Sequence, residues 1–187
     1  LMRQAQQLSI LSQQDALTGL ANRRYLDEVL EIEWNRAMRH QTPITIMMID
    51  IDYFKLYNDS LGHLQGDQCL KRISILLSSI SSRSDDLAAR YGGEEFLLLF
   101  AMTNQDQALI QAQRLMELVR NIGIIHPRSN VSKHVTVSVG VATTIPHLND
   151  NLSEFIAQAD RALYIAKSNG RNQYHLTTTY HETHEVM

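Results

Sequence analysis

Pro43-Ile44-Thr45-Ile46-Met47-Met48-Ile49-Asp50-Ile51-Asp52 is the stretch on which the fold turns. Ile44 to Ile49 is a short, nearly continuous apolar run, and such a run reads as a strand buried on both faces. It passes straight into two carboxylates. Their desolvation in a dry sheet is expensive, so Asp50 and Asp52 are expected at the exposed end of the strand. Taken alone, the segment supports two readings. Carboxylates so placed suit a hard cation such as magnesium, which prefers oxygen ligands and commonly bridges protein to phosphate; they equally suit a helix cap or a solvated strand end.

Working outward, a helix is expected over about 22–39, before this strand. After it, Leu70, Ile73, Leu77 and Ile80 fall at helical spacing within 66–80. Leu87 to Tyr91 and Glu95 to Phe100 read as two strands joined by Gly92-Gly93, a hairpin with glycine at its tip. Asn104 is a candidate cap with Gln107 as its returning partner. Ala108, Ala112, Leu115, Val119 and Ile122 form the buried stripe of the helix that follows, and Gly123 ends it. Val135, Val137, Val139 and Val141 alternate with Thr136, Ser138 and Gly140, the pattern of a half-buried strand. A helix over 153–168 turns Phe155, Ile156, Ala159, Ala162 and Leu163 inward, and Tyr174 to Leu176 is a candidate edge strand. Strands and helices mix, and one strand pair is a tight hairpin. The expected fold is therefore an α/β (α+β) sandwich whose central sheet is mixed and mainly antiparallel, flanked by helices, rather than a doubly wound parallel sheet.

The 187 residues suit one domain with one sizeable core. Apolar residues make up 44% and charged residues 20%, which argues against wholesale disorder. A net charge of −3 gives no broad basic face for duplex nucleic acid, though a local site for one nucleotide is compatible with it. The single cysteine, Cys69, excludes an internal disulfide and fits a reducing compartment. No run approaches the ~20 apolar residues of a membrane span. Residues 1–14, rich in glutamine and helix formers, are either an N-terminal helix docked on the domain or the end of a helical linker; because the chain opens on Leu1, it is expected to be a piece of a longer protein with an upstream domain. Residues 15–176 are taken as the domain proper and 177–187 as a polar, loose tail.

Three stretches carry chemistry. Asp50-Ile51-Asp52-Tyr53-Phe54-Lys55 brings acids to a strand end. Gly92-Gly93-Glu94-Glu95-Phe96 places two glutamates directly after glycines that let a backbone approach a ligand closely; alone it is as well explained by an ordinary hairpin with exposed charges. If the two strands are neighbours, Asp50 and Glu94 converge on one ion. Lys167-Ser168-Asn169-Gly170-Arg171-Asn172 puts two cations at a helix C-terminus, either for the helix dipole or as a phosphate clamp.

Together with Asn58-Asp59, Gly62-His63, Gly66-Asp67 and the upstream Asp15-Ala16-Leu17-Thr18-Gly19-Leu20-Ala21-Asn22-Arg23, these stretches resemble the GGDEF family of diguanylate cyclases over roughly residues 12–176. The signature reads GGEEF here; glutamate keeps the charge and the oxygen ligands. The resemblance implies a palm-like nucleotidyl cyclase fold with the signature loop on a β-hairpin. It implies an enzyme that condenses two GTP into cyclic di-GMP with release of two pyrophosphates, using magnesium or, in its place, manganese. By the same resemblance, Asp50, Glu94 and the Ile51 carbonyl bind metal, Glu95 assists, and Glu94 takes the proton from the ribose 3′-hydroxyl. Asp52 matches the motif without a role following from it. Asn58 and Asp67 read guanine: an ionised aspartate accepts from two guanine N–H groups, whereas adenine presents a lone pair there. Lys55, Lys167 and Arg171 neutralise the triphosphate, aided by the amides around Tyr53 and Phe54.

His63 is read as structural, and His181 and His184 as solvated. Arg83 and Asp86, in an R-x-x-D pattern five residues before the glycine turn, together with Arg114, match the family's site for product inhibition; a surface ion pair is the plainer reading. The resemblance also implies a homodimer, transient in a fragment, with the upstream domain sensory, and a cytoplasmic location with any membrane anchor upstream. The competing reading is a catalytically silent module that binds GTP or cyclic di-GMP as a regulator. Retention of Glu94, Glu95, Lys167 and Arg171 argues against it.

Overall fold

β1 (Ile44–Ile51) is the middle strand of a five-stranded sheet ordered β2-β3-β1-β4-β5 in a computed structural model that describes residues 13–177. The other strands are β2 (Leu87–Gly92), β3 (Glu95–Ala101), β4 (Val137–Thr144) and β5 (Tyr174–Thr177). Only β4 and β5 run parallel; every other neighbouring pair is antiparallel, as the mixed pattern led one to expect. All of β1 is buried. Met47, Ile49 and Ile51 enter one core, while Ile44, Ile46 and Met48 enter a second on the opposite face. Each such side chain contributes about 1.5–3 kcal/mol by leaving water.

The helices complete two outer layers. α1 (Arg23–His40) and α5 (Leu152–Ser168) cover one face, where the Trp34 and Phe155 rings pack at a tilt of 36° with centroids 5.3 Å apart. α2 (Phe54–Leu61), α3 (His63–Ile80) and α4 (Gln105–Ile122) supply the other. The capping box between Asn104 and Gln107 is formed, and Gly123 ends α4 at φ +63. Gly140 is where α5 meets the sheet: a Cβ there would lie 2.0 Å from the Ala159 carbonyl oxygen, so only glycine allows this approach.

The strand expected as half-buried over Val135–Val141 is β4, Val137–Thr144, and is buried on both faces, because α5 packs on the side that carries Gly140 and Ala142. Two further boundaries differ from the sequence expectation. The amphipathic pattern at 66–80 begins earlier, at His63, and is preceded by the short α2, which periodicity did not separate because Gly62 alone divides the two helices. Thr177, assigned to the tail, closes β5, and its hydroxyl donates to the Val141 carbonyl at 3.2 Å. The expectations for residues 1–12, for the rest of the tail and for His181 and His184 lie outside the described residues.

Candidate active site at the strand ends

The β1–β3 register brings the acids together. Asp50 stands opposite Glu95, and the Ile51 amide donates to the Glu94 carbonyl at 3.4 Å. The turn between β2 and β3 is tight because Gly93 adopts φ +46, and a bulge after Arg90 re-aims the strand. The Arg90 guanidinium donates to the Gly93 carbonyl at 2.8 and 3.0 Å and pairs with Asp15 at 3.2 Å. Asp15 in turn accepts from the Thr18 amide and hydroxyl. The upstream motif therefore braces the signature turn through Arg90. Sequence reading noticed Asp15 but gave it no role, and it passed over Arg90.

The expectation that both aspartates are exposed needs correction. Asp52 is 1% exposed and Asp50 is 8% exposed. They are buried because each has partners that replace water. Asp52 accepts from the Thr136 hydroxyl (2.7 Å), the Ser138 hydroxyl (2.6 Å) and the Asn172 amide (3.0 Å). It thus ties β1 to β4 and to the loop after α5, a bracing position rather than an open ligand. Asp50 pairs with Lys167 Nζ at 2.8 Å.

Tyr53 follows at φ 54, a left-handed conformation that costs a non-glycine residue roughly 1–2 kcal/mol. It turns the chain from the strand into α2 and leaves the Tyr53 and Phe54 amides at the start of that helix. Arg171 lies over the Tyr53 ring, 4.5 Å from its centroid, and Lys55 is exposed on the first turn of α2. Lys167 and Arg171 thus reach the acidic strand end, beyond a role for the helix dipole alone.

Asn58, on α2, packs directly on α3 at Gly66, where a Cβ would sit 1.9 Å from Asn58 Oδ1. The glycine makes room for the amide beside Asp67, which is half-buried on the next position. Asn58 Oδ1 is buried and has no hydrogen-bond partner among the described residues. A buried acceptor of this kind is expensive unless a donor completes it. His63 opens α3 with its side chain exposed.

On the far side, Arg83 and Asp86 pair at 3.0 Å. Arg83 also donates to the Thr103 hydroxyl at 2.6 Å and to the Ala101 carbonyl at 3.2 Å. With Arg114, Gln107 and Gln111 they line a cavity of about 170 Å³. In this pair the Asp86 side chain is buried at 3% exposure while Arg83 is 54% exposed.

The candidate ligands that the β1–β3 register brings beside Asp50, from Glu94, Glu95 and the Ile51 carbonyl, are oxygens, which fits magnesium, while Lys167 Nζ pairs with Asp50 itself. Among the described residues, no three acidic, imidazole or thiol groups are gathered as a closed metal shell. Burial raises the Asp50 carboxyl most, Lys167 pulls it back, and the like charges of Glu94 and Glu95 raise it again, leaving it at about 6. The folded value lies above the ordinary 3.8, so the stabilisation from protonated Asp50 is complete below about pH 4 and is lost as pH rises through about 6. In chelator at pH 7.5, Asp50→Asn should therefore melt roughly 2–4 °C above the wild type. The gain should vanish toward pH 4 in a scanning-calorimetry series, and a variant less stable than wild type at pH 7.5 would contradict this account.

A mixed sheet carrying acids at a strand end, beside a glycine turn on a hairpin, fits the α+β fold of the nucleotidyl cyclases. The sequence matches the family described as "Diguanylate cyclase, GGDEF domain" over residues 12–173. It is 38% identical over 168 residues to diguanylate cyclase DgcZ of Escherichia coli K12, covering 89% of this chain and 54% of DgcZ. The crystal structure of the coiled coil and GGDEF domain of DgcB from Caulobacter crescentus, in complex with c-di-GMP, matches with a TM-score of 0.82 at 30% identity, covering 94% of this chain and 91% of that one. The active GGEEF domain of a diguanylate cyclase from Vibrio cholerae matches with a TM-score of 0.74 at 32% identity, covering 85% and 98%. The chain belongs to the GGDEF family of diguanylate cyclases. It spans about half the length of DgcZ.

Proposed function

We propose that this chain condenses two GTP into cyclic di-GMP, with two copies of the domain each presenting one nucleotide. In each half-reaction a 3′-hydroxyl oxygen bonds to the partner nucleotide's α-phosphorus, pyrophosphate leaves with the bond it breaks, and the hydroxyl proton passes to a base. The observation that carries this reading is the buried Asp50 carboxylate beside the Glu94-Glu95 turn, with Lys167 at 2.8 Å. Asp50 and Glu94, with the Ile51 carbonyl, would hold magnesium, or manganese in its place, and Glu95 would assist. Such a bound ion lowers the pKa of the 3′-hydroxyl and offsets charge on the phosphate. Glu94 is the proton acceptor. Lys55, Lys167 and Arg171 hold the triphosphate, and the Tyr53 and Phe54 amides complete the cradle.

Guanine enters between α2 and α3. The unpartnered Asn58 Oδ1 supports this, since guanine brings N–H donors to it while Asp67 accepts from the same edge. Adenine would set a lone pair against the carboxylate, and a buried group left unpaired costs about 1–3 kcal/mol. Arg83, Asp86 and Arg114 form a second site that takes the product as inhibitor: arginine stacks on guanine and grips phosphate, and aspartate reads the base edge. No helix among the described residues is long and apolar enough to cross a membrane. The reaction belongs to the cytoplasm, where GTP is held.

Incubation with GTP and magnesium, with the product identified by mass spectrometry, tests the reaction. Cyclic di-GMP is expected, and nucleotide binding without product would favour the silent-module reading. In parallel, calorimetry should show GTP binding at least about tenfold tighter than ATP, with Asp67→Ala weakening GTP by a similar factor. Equal affinities in the wild type would remove the guanine-reading role.

A further inference from the structure

His126 lies outside every motif above, yet it is 2% exposed and faces the start of α2. Its ring meets Tyr57 edge-on, with centroids 5.3 Å apart. Its two nitrogens have different partners. The Arg128 amide donates to Nδ1 at 3.3 Å, which leaves the ring proton on Nε2. Nε2 stands 3.1 Å from the Tyr53 carbonyl oxygen and donates to it. That carbonyl also accepts the first helical hydrogen bond, from the Tyr57 amide at 3.0 Å. Both of its lone pairs are therefore engaged.

The loop that carries His126 is itself held. The His126 amide donates to the Lys133 carbonyl at 2.9 Å, and the Val135 amide donates to the Ile124 carbonyl at 2.7 Å. The next residue along, Thr136, holds the Asp52 carboxylate. One segment, 124–138, thus grips consecutive residues of the strand-to-helix turn: Asp52 by its side chain and Tyr53 by its carbonyl. Tyr53 is the residue in the left-handed conformation, and a strained residue persists only where its surroundings over-determine it.

We propose that His126 is a positioning residue for the triphosphate cradle: its Nε2–H holds the Tyr53 carbonyl and so aims the Phe54 amide, which shares that peptide plane, at the phosphates. This rests on the cyclase reading for the identity of the ligand. The amide contacts the nucleotide before and during reaction alike, so losing its aim weakens binding uniformly and appears in KM rather than kcat.

The test reads affinity without turnover, by calorimetry with 3′-deoxy-GTP and magnesium, alongside KM and kcat for GTP. His126→Leu should bind 3′-deoxy-GTP about tenfold more weakly and raise KM to match, with kcat within about twofold. His126→Gln carries an amide nitrogen to the Nε2 position and should restore wild-type affinity. His126→Asn reaches only the Nδ1 position; it should serve the Arg128 amide but bind nucleotide as poorly as His126→Leu. A histidine needed only to shape its own loop predicts the reverse order, with Asn better than Gln, and that result overturns the proposal. Wild-type affinity in His126→Leu, or a loss confined to kcat, overturns it as well. If His126→Leu does not fold, the Gln and Asn pair decides the matter. A wild type that makes no cyclic di-GMP would count against the cyclase reading alone, because the affinity comparison stands without turnover.

Discussion

Glu94→Gln is expected to lower cyclic di-GMP synthesis by on the order of a hundred- to a thousandfold while leaving the fold unchanged. The amide keeps the size of the side chain but removes both the charge and the proton acceptor. The backbone is untouched: the Glu94 carbonyl still receives the Ile51 amide, and Arg90 still holds Gly93. The melting temperature should stay close to wild type, since Glu94 is half-exposed at a turn, and circular dichroism should overlay. Initial rates by product chromatography decide it; near-normal turnover by a folded Glu94→Gln protein would sink the assignment of Glu94. Asp50→Asn should be equally inactive yet more stable, because it removes a buried charge. The two variants separate loss of chemistry from loss of structure.

The second large effect is a dependence of rate on protein concentration. One domain has acids and cations for one nucleotide, whereas the product has two equivalent halves. On the proposed reaction, two domains would face each other across a two-fold axis with their Gly92-Gly93 turns and nucleotides antiparallel, and the contact between half-sites would be transient, since product must escape. Where the sample is mainly monomeric, tenfold dilution should lower the rate per molecule about tenfold by mass action. A parallel coiled coil fused before Leu1 should raise the effective concentration to roughly the millimolar range and flatten that dependence. Sedimentation and initial rates over one dilution series test both. A strictly monomeric sample whose rate per molecule is high and constant would rule out the two-domain reaction.

Much of the fold was legible because its signals are local. The apolar run at Ile44–Ile49, the alternation at Val135–Val141, the Asn104 and Gln107 cap and the glycine-tipped hairpin each identify an element by periodicity or turn chemistry. The parallel pairing of β5 with β4 was less legible, since pairing direction depends on where α5 returns the chain.

The sequence by itself determined which residue types stand at the candidate site. Acids after a buried strand, acids after paired glycines and cations after a helix are visible as residue types in order. Only the tertiary structure decided what each one does there. Asp52 and Asp50 are two residues apart, yet one is locked by Thr136, Ser138 and Asn172 while the other meets Lys167. Asp15 finds Arg90 across 75 positions, and His126 finds Tyr53 across 73. The physical reason is range. Hydrogen bonds act over about 3 Å, and the partners of a buried polar group come from whichever strands and loops the sheet brings beside it.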